Sequence, residues 1–261
     1  SPGMRGLFVV APQPYASGFI VQALADCFSF QPIPPLETIE TMEFLDRVKA
    51  GFRMALRDGV DVMAGLTSTL YKMGESMSEQ TQEMQFSLSM LHPTIILRLL
   101  RALLLSKKAK RAILPKDMWP LKAILASGVD TPIYKDGVKD YWGKEPYEFY
   151  GGSETFLVGL QDWNRKGMVF YPYSAFVEFI PYEKALEQQA DEDYHQATVL
   201  LNEVEEGRLY EVVVTQFYGM PLLRYRLRDV VKFFSLKDSE AGVNLPHFYF
   251  QRRVDETINI G

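Results

Sequence analysis

The chain has 261 residues, of which 47% are hydrophobic and 13% aromatic, and this is enough apolar material for a large core in one or two domains. The formal net charge of -5 and the pI near 5.4 argue against a general nucleic-acid-binding protein, because such proteins usually present a basic face. The single cysteine, Cys27, excludes an internal disulfide and a cysteine-rich zinc cluster, and this composition is typical of a protein of the reducing cytoplasm.

The first part of the chain predicts a strand followed by two helices. An apolar run at 6–12 is typical of a buried strand, and 17–28 has helical spacing. The prolines of 31–37 predict a break, because proline removes a backbone donor. An amphipathic helix then covers 40–59 and ends at Gly59.

Strands and helices continue to alternate after this helix. A strand at 61–65 precedes a helix that Thr67 or Ser68 would cap, and 121–128, 129–143 and 145–152 predict a strand, a helix and a strand. This order predicts an α/β fold with a parallel sheet covered by helices. Ligands of such sheets usually lie beyond the carboxyl ends of the strands.

The longest apolar segment, 88–111, predicts a core helix. Pro93, Arg98 and Arg101 interrupt it well before the roughly 20 apolar residues that a membrane span needs. Its basic end could contact anionic lipid, but a solvated helix end that complements the helix dipole is the favoured interpretation. That end consists of Lys107, Lys108, Lys110 and Arg111.

After Gly152 the chain is mostly β, because short segments rich in β-branched and aromatic residues alternate with polar turns. We expect an antiparallel barrel or a strongly twisted sheet from about Phe176 to Arg253, packed against the α/β part. The predicted domains are therefore an α/β portion at 1–175 and a β-rich subdomain at 176–253. The acidic segment 182–196 is predicted to be a helix or loop without chemistry.

The motif YGGSE offers several groups to a nucleotide. Tyr150 has a flat face for a purine, and Gly151 and Gly152 would let the backbone approach a phosphate. Ser153 and Glu154, at a predicted helix start, offer a hydroxyl to an anion and a hard oxygen ligand to Mg²⁺. An ordinary strand-to-helix turn capped by the serine would explain the motif equally well.

The segment LLRYRLRDVVKF (222–233) places arginines next to a carboxylate. The two-residue period of a strand puts Arg224, Arg226 and Arg228 on one face. Asp229 would be held ionised among them, and its two oxygens match the vicinal hydroxyls of a ribose. A surface salt-bridge ladder is the favoured interpretation for Arg224 and Arg228, but not for Asp229.

The segment QRRVDETINIG (251–261) indicates a nucleotide site only through its order and spacing relative to the other two motifs. Asp229 lies 75 residues after Glu154, and Arg253 lies 24 residues after Asp229. A turn acid, a strand acid and an arginine in this order would provide ligands for a metal, a ribose and a phosphate.

With these motifs the chain resembles the adenylate-forming superfamily, whose members include acyl-CoA synthetases and luciferase. Within it the closest resemblance is to the auxin-responsive Gretchen Hagen family of acyl-acid amido synthetases. This resemblance is carried in order and spacing by AFVEFIP, GRLYEVVVT, GMPLLRYRLRDVV and LPHFYFQRR, and RRVDETINIG is similar to the superfamily's hinge motif. It covers about 145–261 firmly and implies that the chain is part of the large N-terminal domain of an adenylate-forming enzyme.

The resemblance implies an enzyme that uses ATP and Mg²⁺ to convert a carboxylic acid into an acyl-adenylate. The acyl group would then pass to an amine, such as that of an amino acid, or to a thiol. The implied partners are therefore small molecules, without nucleic acid or a membrane span.

The resemblance also assigns roles to residues of the first motif. Tyr150 would be the neighbour of adenine, Gly151 and Gly152 would form the turn at the nucleotide, Ser153 would contact phosphate and Glu154 would bind Mg²⁺. Positioning and charge neutralisation would dominate such a transfer.

In the later motifs, the resemblance makes Asp229 the ligand of both ribose hydroxyls and Arg253 a contact of ribose or phosphate. Asp255, in the segment 254–261, would be the hinge about which a C-terminal domain swings. The family pattern has a glycine before the aspartate where this chain has Arg228. A cation there would add a phosphate contact or crowd the ribose.

Other expected parts of such an enzyme do not occur in the sequence. A Ser/Thr/Gly-rich phosphate loop and the small C-terminal domain are missing, so we expect a fragment of a longer chain that is inactive in isolation. None of the three histidines has a metal-ligand partner at a useful spacing.

The predicted acyl pocket rests on position at strand ends alone. Its proposed wall consists of Gly65, Ser68, Gly128, Val129 and Phe156. A noncatalytic module that binds a nucleotide or a small acid is the alternative function, and the missing phosphate loop favours it.

Overall fold

The computed structural model of the protein describes residues 3–10, 15, 17–19, 21–22, 30–39, 42–80, 92–187, 197–217 and 221–254. The chain divides into two compact units, Ser1–Tyr147 and Glu148–Gly261, which we call the N-terminal and C-terminal units. The sequence predicted a boundary at 175/176. The difference arises because the antiparallel strands begin earlier than expected, near residue 147.

The sheet of the N-terminal unit is parallel, as the alternation of strands and helices predicted. Its strands are β1 (Arg5–Val9), β2 (Gln31–Ile33), β3 (Val62–Leu66) and β4 (Ala123–Ser127), in the order β2-β1-β3-β4. All three of these pairings are parallel.

Strand β2 was not predicted, because it lies in the proline-rich segment that indicates a break. Pro32 has no N–H to donate to a ladder. The strand pairs with β1 on one side and is the first in the strand order, so a proline is tolerated there.

The helices with described bounds in this unit are α1 (Leu36–Ile39), α2 (Phe44–Asp58), α3 (Thr67–Gln80), α4 (Pro93–Ala109), α5 (Pro115–Met118) and α6 (Thr131–Trp142). Residues 17–19 and 21–22 are also helical, as expected, whereas the rest of 17–28 lies outside the described residues. Helix α2 ends at Gly59, as its pattern predicted.

Two buried tryptophans form the centre of the N-terminal core. The rings of Trp119 and Trp142 stack with their centroids 6.2 Å apart. Each indole N–H donates to a helix carbonyl, that of Trp119 to Ala55 at 2.9 Å and that of Trp142 to Leu70 at 2.9 Å. The two polar atoms are therefore satisfied inside an apolar cluster.

Helices α3 and α6 contact each other through two glycines and two tyrosines. A Cβ atom at Gly74 of α3 would lie 2.6 Å from Tyr141 of α6, and one at Gly137 of α6 would lie 2.4 Å from the ring of Tyr71 of α3. Each helix thus accommodates an aromatic ring of the other where any larger side chain would collide.

Helix α4 is a surface helix, so the prediction of a core helix is wrong. Of its residues only Ile95, Ala102 and Ser106 are buried. The segment is apolar around much of its circumference, but a single face packs against the unit. Six of its large apolar side chains are exposed: Ile96, Leu97, Leu100, Leu103, Leu104 and Leu105. Among the described residues, none of the helices is both long enough and apolar enough to cross a membrane.

The C-terminal unit is built on an antiparallel sheet, as predicted. Its strands follow the order β5-β6-β7-β12-β11-β10-β8-β9. They are β5 (Tyr147–Gly152), β6 (Phe156–Gln161), β7 (Met168–Phe170), β8 (Phe176–Pro181), β9 (Val199–Leu200), β10 (Leu209–Gln216), β11 (Leu222–Ser235) and β12 (His247–Arg253).

Aromatic side chains fill the core of this unit. Phe170 and Phe248 stack at 4.0 Å between centroids, and Phe179 meets Phe233 edge to face at 5.1 Å. Helix α7 (Tyr182–Glu187) follows β8 and covers the beginning of the acidic segment. The continuation of that segment, 188–196, lies outside the described residues.

Candidate functional site

The YGGSE motif forms the tip of an antiparallel hairpin and not the predicted helix start. Gly152 pairs with Phe156, and Gly151 pairs with Leu157. The chain therefore reverses direction through Ser153, Glu154 and Thr155. A helix is not formed because the segment after the turn, FLVGLQ, pairs with β5 as strand β6.

Gly151 has a structural reason to be glycine. A Cβ atom at this position would lie 1.7 Å from the carbonyl oxygen of Phe156, which is far inside van der Waals contact. The opposite residue, Phe156, has a positive φ of 56°, an unusual conformation for a large side chain. A close approach of two backbones thus requires this glycine, independently of any phosphate.

Tyr150 is 8% exposed and lies in the aromatic core. Its ring meets Phe170 and Phe248 edge to face at 5.8 and 5.7 Å, so most of the ring is covered by protein. Its hydroxyl donates to Oδ2 of Asp229 at 2.8 Å. Burial, followed by the negative charge of Asp229, raises the pKa of Tyr150 well above its usual value. The hydroxyl therefore stays protonated and remains a hydrogen-bond donor.

Asp229 and Arg253 face each other across β11 and β12, where they form a register pair. Arg253 donates from Nε to Oδ1 of Asp229 at 3.0 Å. The Asp229 side chain is 14% exposed, whereas that of Arg253 is 53% exposed. Tyr150 thus donates to one carboxylate oxygen of Asp229, and Arg253 donates to the other.

The strand that carries the arginines before Asp229 is irregular, in contrast to the simple two-residue period. Arg224 and Arg228 have positive φ values of 47° and 62°, and the register between β10 and β11 shifts on either side of Arg226. Such bulges disturb the alternation of side chains. Arg226 instead forms a bidentate ion pair with Glu211, whose side chain is fully buried, and Arg224 pairs with Glu178 at 3.3 Å. The salt bridge favoured for Arg224 is thus present.

Ser153 is exposed and Glu154 is half-buried in the hairpin turn. The backbone carbonyl of Glu154 accepts a hydrogen bond from the amide nitrogen of Gln216. The negative charge of Glu154 also contributes to the raised pKa of Tyr150, so its carboxylate lies near that residue. Among the described residues it has no hydrogen-bond or ion-pair partner, and it is available as an oxygen ligand.

In the N-terminal unit, four predicted pocket residues lie near the carboxyl ends of β3 and β4. Gly65 is buried within β3, Ser68 is in the first turn of α3, and Gly128 and Val129 are exposed after β4. The hydroxyl of Thr67 lies 2.7 Å from that of Thr131 and connects the two strand ends rather than capping α3. Phe156 lies in the C-terminal unit, and Asp255 is outside the described residues.

A cluster that the sequence did not predict consists of Asp162, Asp238 and His247. One ligand atom from each lies within 4.8 Å of the others, and His247 Nε2 is 3.0 Å from Asp162 Oδ2. His247 therefore does have potential metal-ligand partners. The sequence did not indicate them, because His247 and Asp162 are 85 residues apart. Both aspartates also accept hydrogen bonds from backbone amides of their own turns, which is a sufficient structural role.

Gln216 was missed by sequence reasoning because it is an ordinary polar residue at the end of β10. Its side chain is buried and ties that strand to the YGGSE turn. No local signal in the sequence distinguishes it, since its partner is 62 residues away.

Comparison with known proteins relates part of the chain to the GH3 family. Residues 168–253 match the model of the GH3 family central domain. A stretch of 94 residues is 40% identical to jasmonoyl–L-amino acid synthetase GH3.5 of Oryza sativa subsp. japonica, and this match covers 34% of the chain and 15% of the relative.

Solved structures show the same fold over nearly the whole chain. AtGH3.15 acyl acid amido synthetase in complex with 2,4-DB is similar with a TM-score of 0.61 and 21% identity, over 96% of this chain and 48% of that one. An open conformation of 2-hydroxyisobutyryl-CoA ligase in complex with 2-HIB-AMP and CoA is similar with a TM-score of 0.62 and 14% identity, over 98% of this chain and 46% of that one. The chain thus spans about half the length of these structures.

The resemblance indicated by the motifs is therefore confirmed: the chain has the fold of the adenylate-forming enzymes and, over residues 168–253, matches the GH3 family central domain.

Proposed function

We propose that this chain carries part of the adenylation site of an ATP-dependent acyl-acid ligase. Such an enzyme activates a carboxylic acid as an acyl-adenylate and transfers the acyl group to an amine or a thiol. The relatives that it resembles are named as amido synthetases and as a CoA ligase, which supports this class of reaction.

The observation that carries the proposal is the position of Asp229 between Tyr150 and Arg253. The pairing of β11 with β12 brings the aspartate and the arginine together, although 24 residues separate them. Tyr150, from the YGGSE hairpin, completes the group. Three motifs that are distant in sequence thus converge on one carboxylate.

The residues present suit a nucleotide. Tyr150 donates to one oxygen of Asp229 and Arg253 to the other, and a carboxylate, with about four lone-pair sites, would also accept the two ribose hydroxyls. The half-exposed guanidinium of Arg253 would attract the negative charge of the phosphates. Tyr150 would act as a positioning residue that holds the carboxylate, since burial leaves little of its ring open to adenine.

Glu154 suits a magnesium ion, because magnesium is usually bound by one or two carboxylates together with substrate phosphates. Its carboxylate has no partner among the described residues, and Ser153 beside it is exposed. When bound, the ion would neutralise phosphate charge and favour attack at phosphorus.

In the proposed reaction a carboxylate oxygen of the acid forms a bond to the α-phosphorus of ATP, while the bond from that phosphorus to pyrophosphate breaks. An amine or thiol then attacks the acyl carbon, and AMP leaves. Asp229 and Arg253 would fix the nucleotide during both steps, so that transfer depends on positioning rather than on a protein nucleophile.

Two further roles rest on sequence alone. We extend the proposal to Asp255 as the hinge residue, on the resemblance of its motif. Positions at strand ends suggest that Gly65, Ser68, Gly128 and Val129 contribute to an acyl pocket.

Pyrophosphate release tests the proposed function. The protein in its full natural length would be incubated with ATP, Mg²⁺ and a panel of aryl, indole and fatty acids. We expect release that depends on one class of acid and is lost in Glu154→Ala. It should be retained in Glu206→Ala, which removes an exposed carboxylate from another turn of the same unit.

Nucleotide binding separates the enzyme from a noncatalytic module. One possible result is that no acid supports pyrophosphate release, although the protein binds AMP. If Asp229→Asn then weakens AMP binding and Asp140→Asn does not, the site belongs to a binding module and the ligase proposal is wrong. If AMP binding is absent as well, the assignment of the nucleotide site is wrong.

A further inference from the structure

Helix α4 presents an apolar face that its own unit does not cover. Leu97 and Leu104 are 74% and 71% exposed, and Leu100 between them is 52% exposed. The helical period places these three leucines on one side, opposite the buried Ile95 and Ala102. We call the side formed by Leu97, Leu100 and Leu104 the leucine face.

The orientation of the leucine face is fixed by contacts on the inner side of the helix. The Arg98 guanidinium donates to the carbonyl oxygens of Ala55 and Leu56 at the end of α2, at 2.6 and 3.0 Å. Ser106 donates to the Arg111 carbonyl and ties down the other end. Rotation that would bury the leucines would break these bonds, so the face points outward in the folded unit.

All charged side chains of α4 itself are cations. The stretch from His92 to Lys116 contains no aspartate or glutamate, although the whole chain has a net charge of -5. Among the residues that the structure describes, neither Lys107 nor Lys108 forms an ion pair. Of the cations in this stretch, Arg98 is turned toward α2 and Arg111 pairs with Asp117 at 2.7 Å, which leaves Arg101, Lys107, Lys108, Lys110 and Lys116.

These two properties occur together along one helix. The period that aligns Leu97, Leu100 and Leu104 continues to Lys107 and Lys108, so the apolar side chains end in exposed ammonium groups on the same side. An apolar stripe with flanking lysines and arginines is the pattern of a helix that lies in the interface of a membrane with anionic lipids.

We propose that the leucine face of α4 binds the surface of an anionic lipid membrane. The leucines enter the boundary between headgroups and acyl chains, and Lys107, Lys108 and Lys110 contact the lipid phosphates and carboxylates. The helix lies on the membrane and does not cross it, in agreement with its length and its cations. This inference does not depend on the proposed ligase function.

Vesicle flotation tests the proposal with the full-length protein and no nucleotide or acid. Vesicles of phosphatidylcholine alone are compared with vesicles that contain phosphatidylserine as well, near physiological salt. We expect binding to the anionic vesicles, at least about tenfold weaker binding to the neutral ones, and release of most bound protein when high salt screens the charges.

Matched variants separate the two contributions. Leu97→Ser with Leu104→Ser should reduce binding to anionic vesicles by about tenfold or more, since two exposed leucines are lost. Ile133→Ser, at a side chain that is 75% exposed on α6, should leave it unchanged. Lys107→Gln with Lys108→Gln should reduce binding as well, whereas Lys144→Gln with Lys237→Gln, which changes the net charge equally, should not.

Any of three results would overturn the proposal. The first is the failure of the wild-type protein to float with anionic vesicles, and the second is binding that the leucine variant retains in full. The third is a protein that is oligomeric in solution by light scattering and becomes monomeric in the leucine variant, because the face would then be a contact between protein chains. Circular dichroism of each variant establishes that it is folded.

Discussion

The backbone of Gly151 lies close enough to the carbonyl oxygen of Phe156 to exclude any side chain, because a Cβ atom at this residue would lie only 1.7 Å from that oxygen. We expect Gly151→Ala to force the hairpin strands apart and to destabilise the protein by on the order of 3 kcal/mol, a value typical of severe backbone collisions. Urea denaturation followed by circular dichroism measures the change.

Gly152→Ala provides the control for this prediction. A Cβ atom there would meet only the carboxylate end of Glu154, at 3.0 Å, and that side chain can move. A loss below about 1 kcal/mol is expected. Equal losses in the two variants would show that the close approach to Phe156 does not determine the identity of residue 151.

Arg228 adopts a left-handed backbone conformation, with φ of 62°, directly before Asp229. Glycine takes this conformation without the steric penalty that a Cβ atom brings, and it is the residue that the resemblance to the family implies at this place. An arginine at position 228 therefore makes the folded state less stable than a glycine would, as far as the backbone conformation is concerned.

We expect Arg228→Gly to be more stable than Arg228→Ala by roughly 1 kcal/mol, because both variants lose the same side-chain contacts and only the alanine keeps the steric penalty. Denaturation midpoints of the two purified variants decide the question. An alanine variant as stable as the glycine variant would exclude backbone strain at this position.

Strand β11 depends on an ion pair that joins it to β10. Glu211 is fully buried, and Arg226 is its bidentate partner. We expect Arg226→Met to destabilise the protein by about 3–5 kcal/mol, because it leaves a buried carboxylate without a counter-charge. The double variant Glu211→Met with Arg226→Met should recover most of the loss, as measured by urea denaturation. A double variant less stable than Arg226→Met would contradict this explanation.

The same strand shows where periodicity stops predicting structure. Alternation along LLRYRLRDVVKF predicts a regular strand, but the backbone has positive φ values at Arg224 and Arg228, and its register with β10 shifts twice. Nothing in the sequence indicates a bulge there, because neither residue is a glycine. The acid that matters most for the proposed site, Asp229, was nevertheless identified from its residue type and its neighbours.

Helix α4 shows a related limit at the level of a whole element. The helix itself was predicted, but its many apolar residues also led to the wrong prediction that it is buried. Burial depends on what the rest of the fold places beside a helix, and α2 and α5 cover only the side that carries Ile95 and Ala102. The pattern of apolar residues predicts that α4 is a helix. Whether that helix is buried depends on which other elements the tertiary structure places against it.

For the whole molecule, we expect stability to fall as the solution is acidified below about pH 4, the usual pKa range of aspartate. Burial alone would raise the pKa of Asp117, but hydrogen bonds from Arg111 and from the Leu114 amide outweigh it, so the pKa is lowered. Asp61 behaves similarly through Lys122 and the Arg5 amide. A carboxylate with a lowered pKa stabilises the folded state above its unfolded pKa, and this contribution is lost as the pH falls through the folded value.

Denaturation midpoints between pH 2 and 7 would measure this effect. Asp117→Asn should be less stable than the wild type at neutral pH and should lose less stability on acidification. Asp140→Asn, at an exposed position, should follow the wild type. If both variants lose stability in parallel with the wild type, Asp117 does not contribute to the acid sensitivity.

The broad architecture could be predicted because the apolar segments of each unit follow a pattern of their own along the sequence. Alternating strands and helices indicate the parallel sheet, and β-rich segments between polar turns indicate the antiparallel one. The candidate site could be predicted only as an order of residues along the chain. Which atoms meet depends on the pairing of β11 with β12 and on the burial of Tyr150, and neither follows from local sequence.

The reciprocal packing of Gly74 against Tyr141 and of Gly137 against Tyr71 has a mechanical consequence. A slide of α3 along α6 by even one residue would drive each aromatic ring into a side chain larger than hydrogen, at both contacts simultaneously. Both contacts therefore oppose a slide of one helix along the other, and we expect α3 and α6 to move together. Because α3 follows β3 and α6 follows β4, we expect a displacement of one strand end to affect the other.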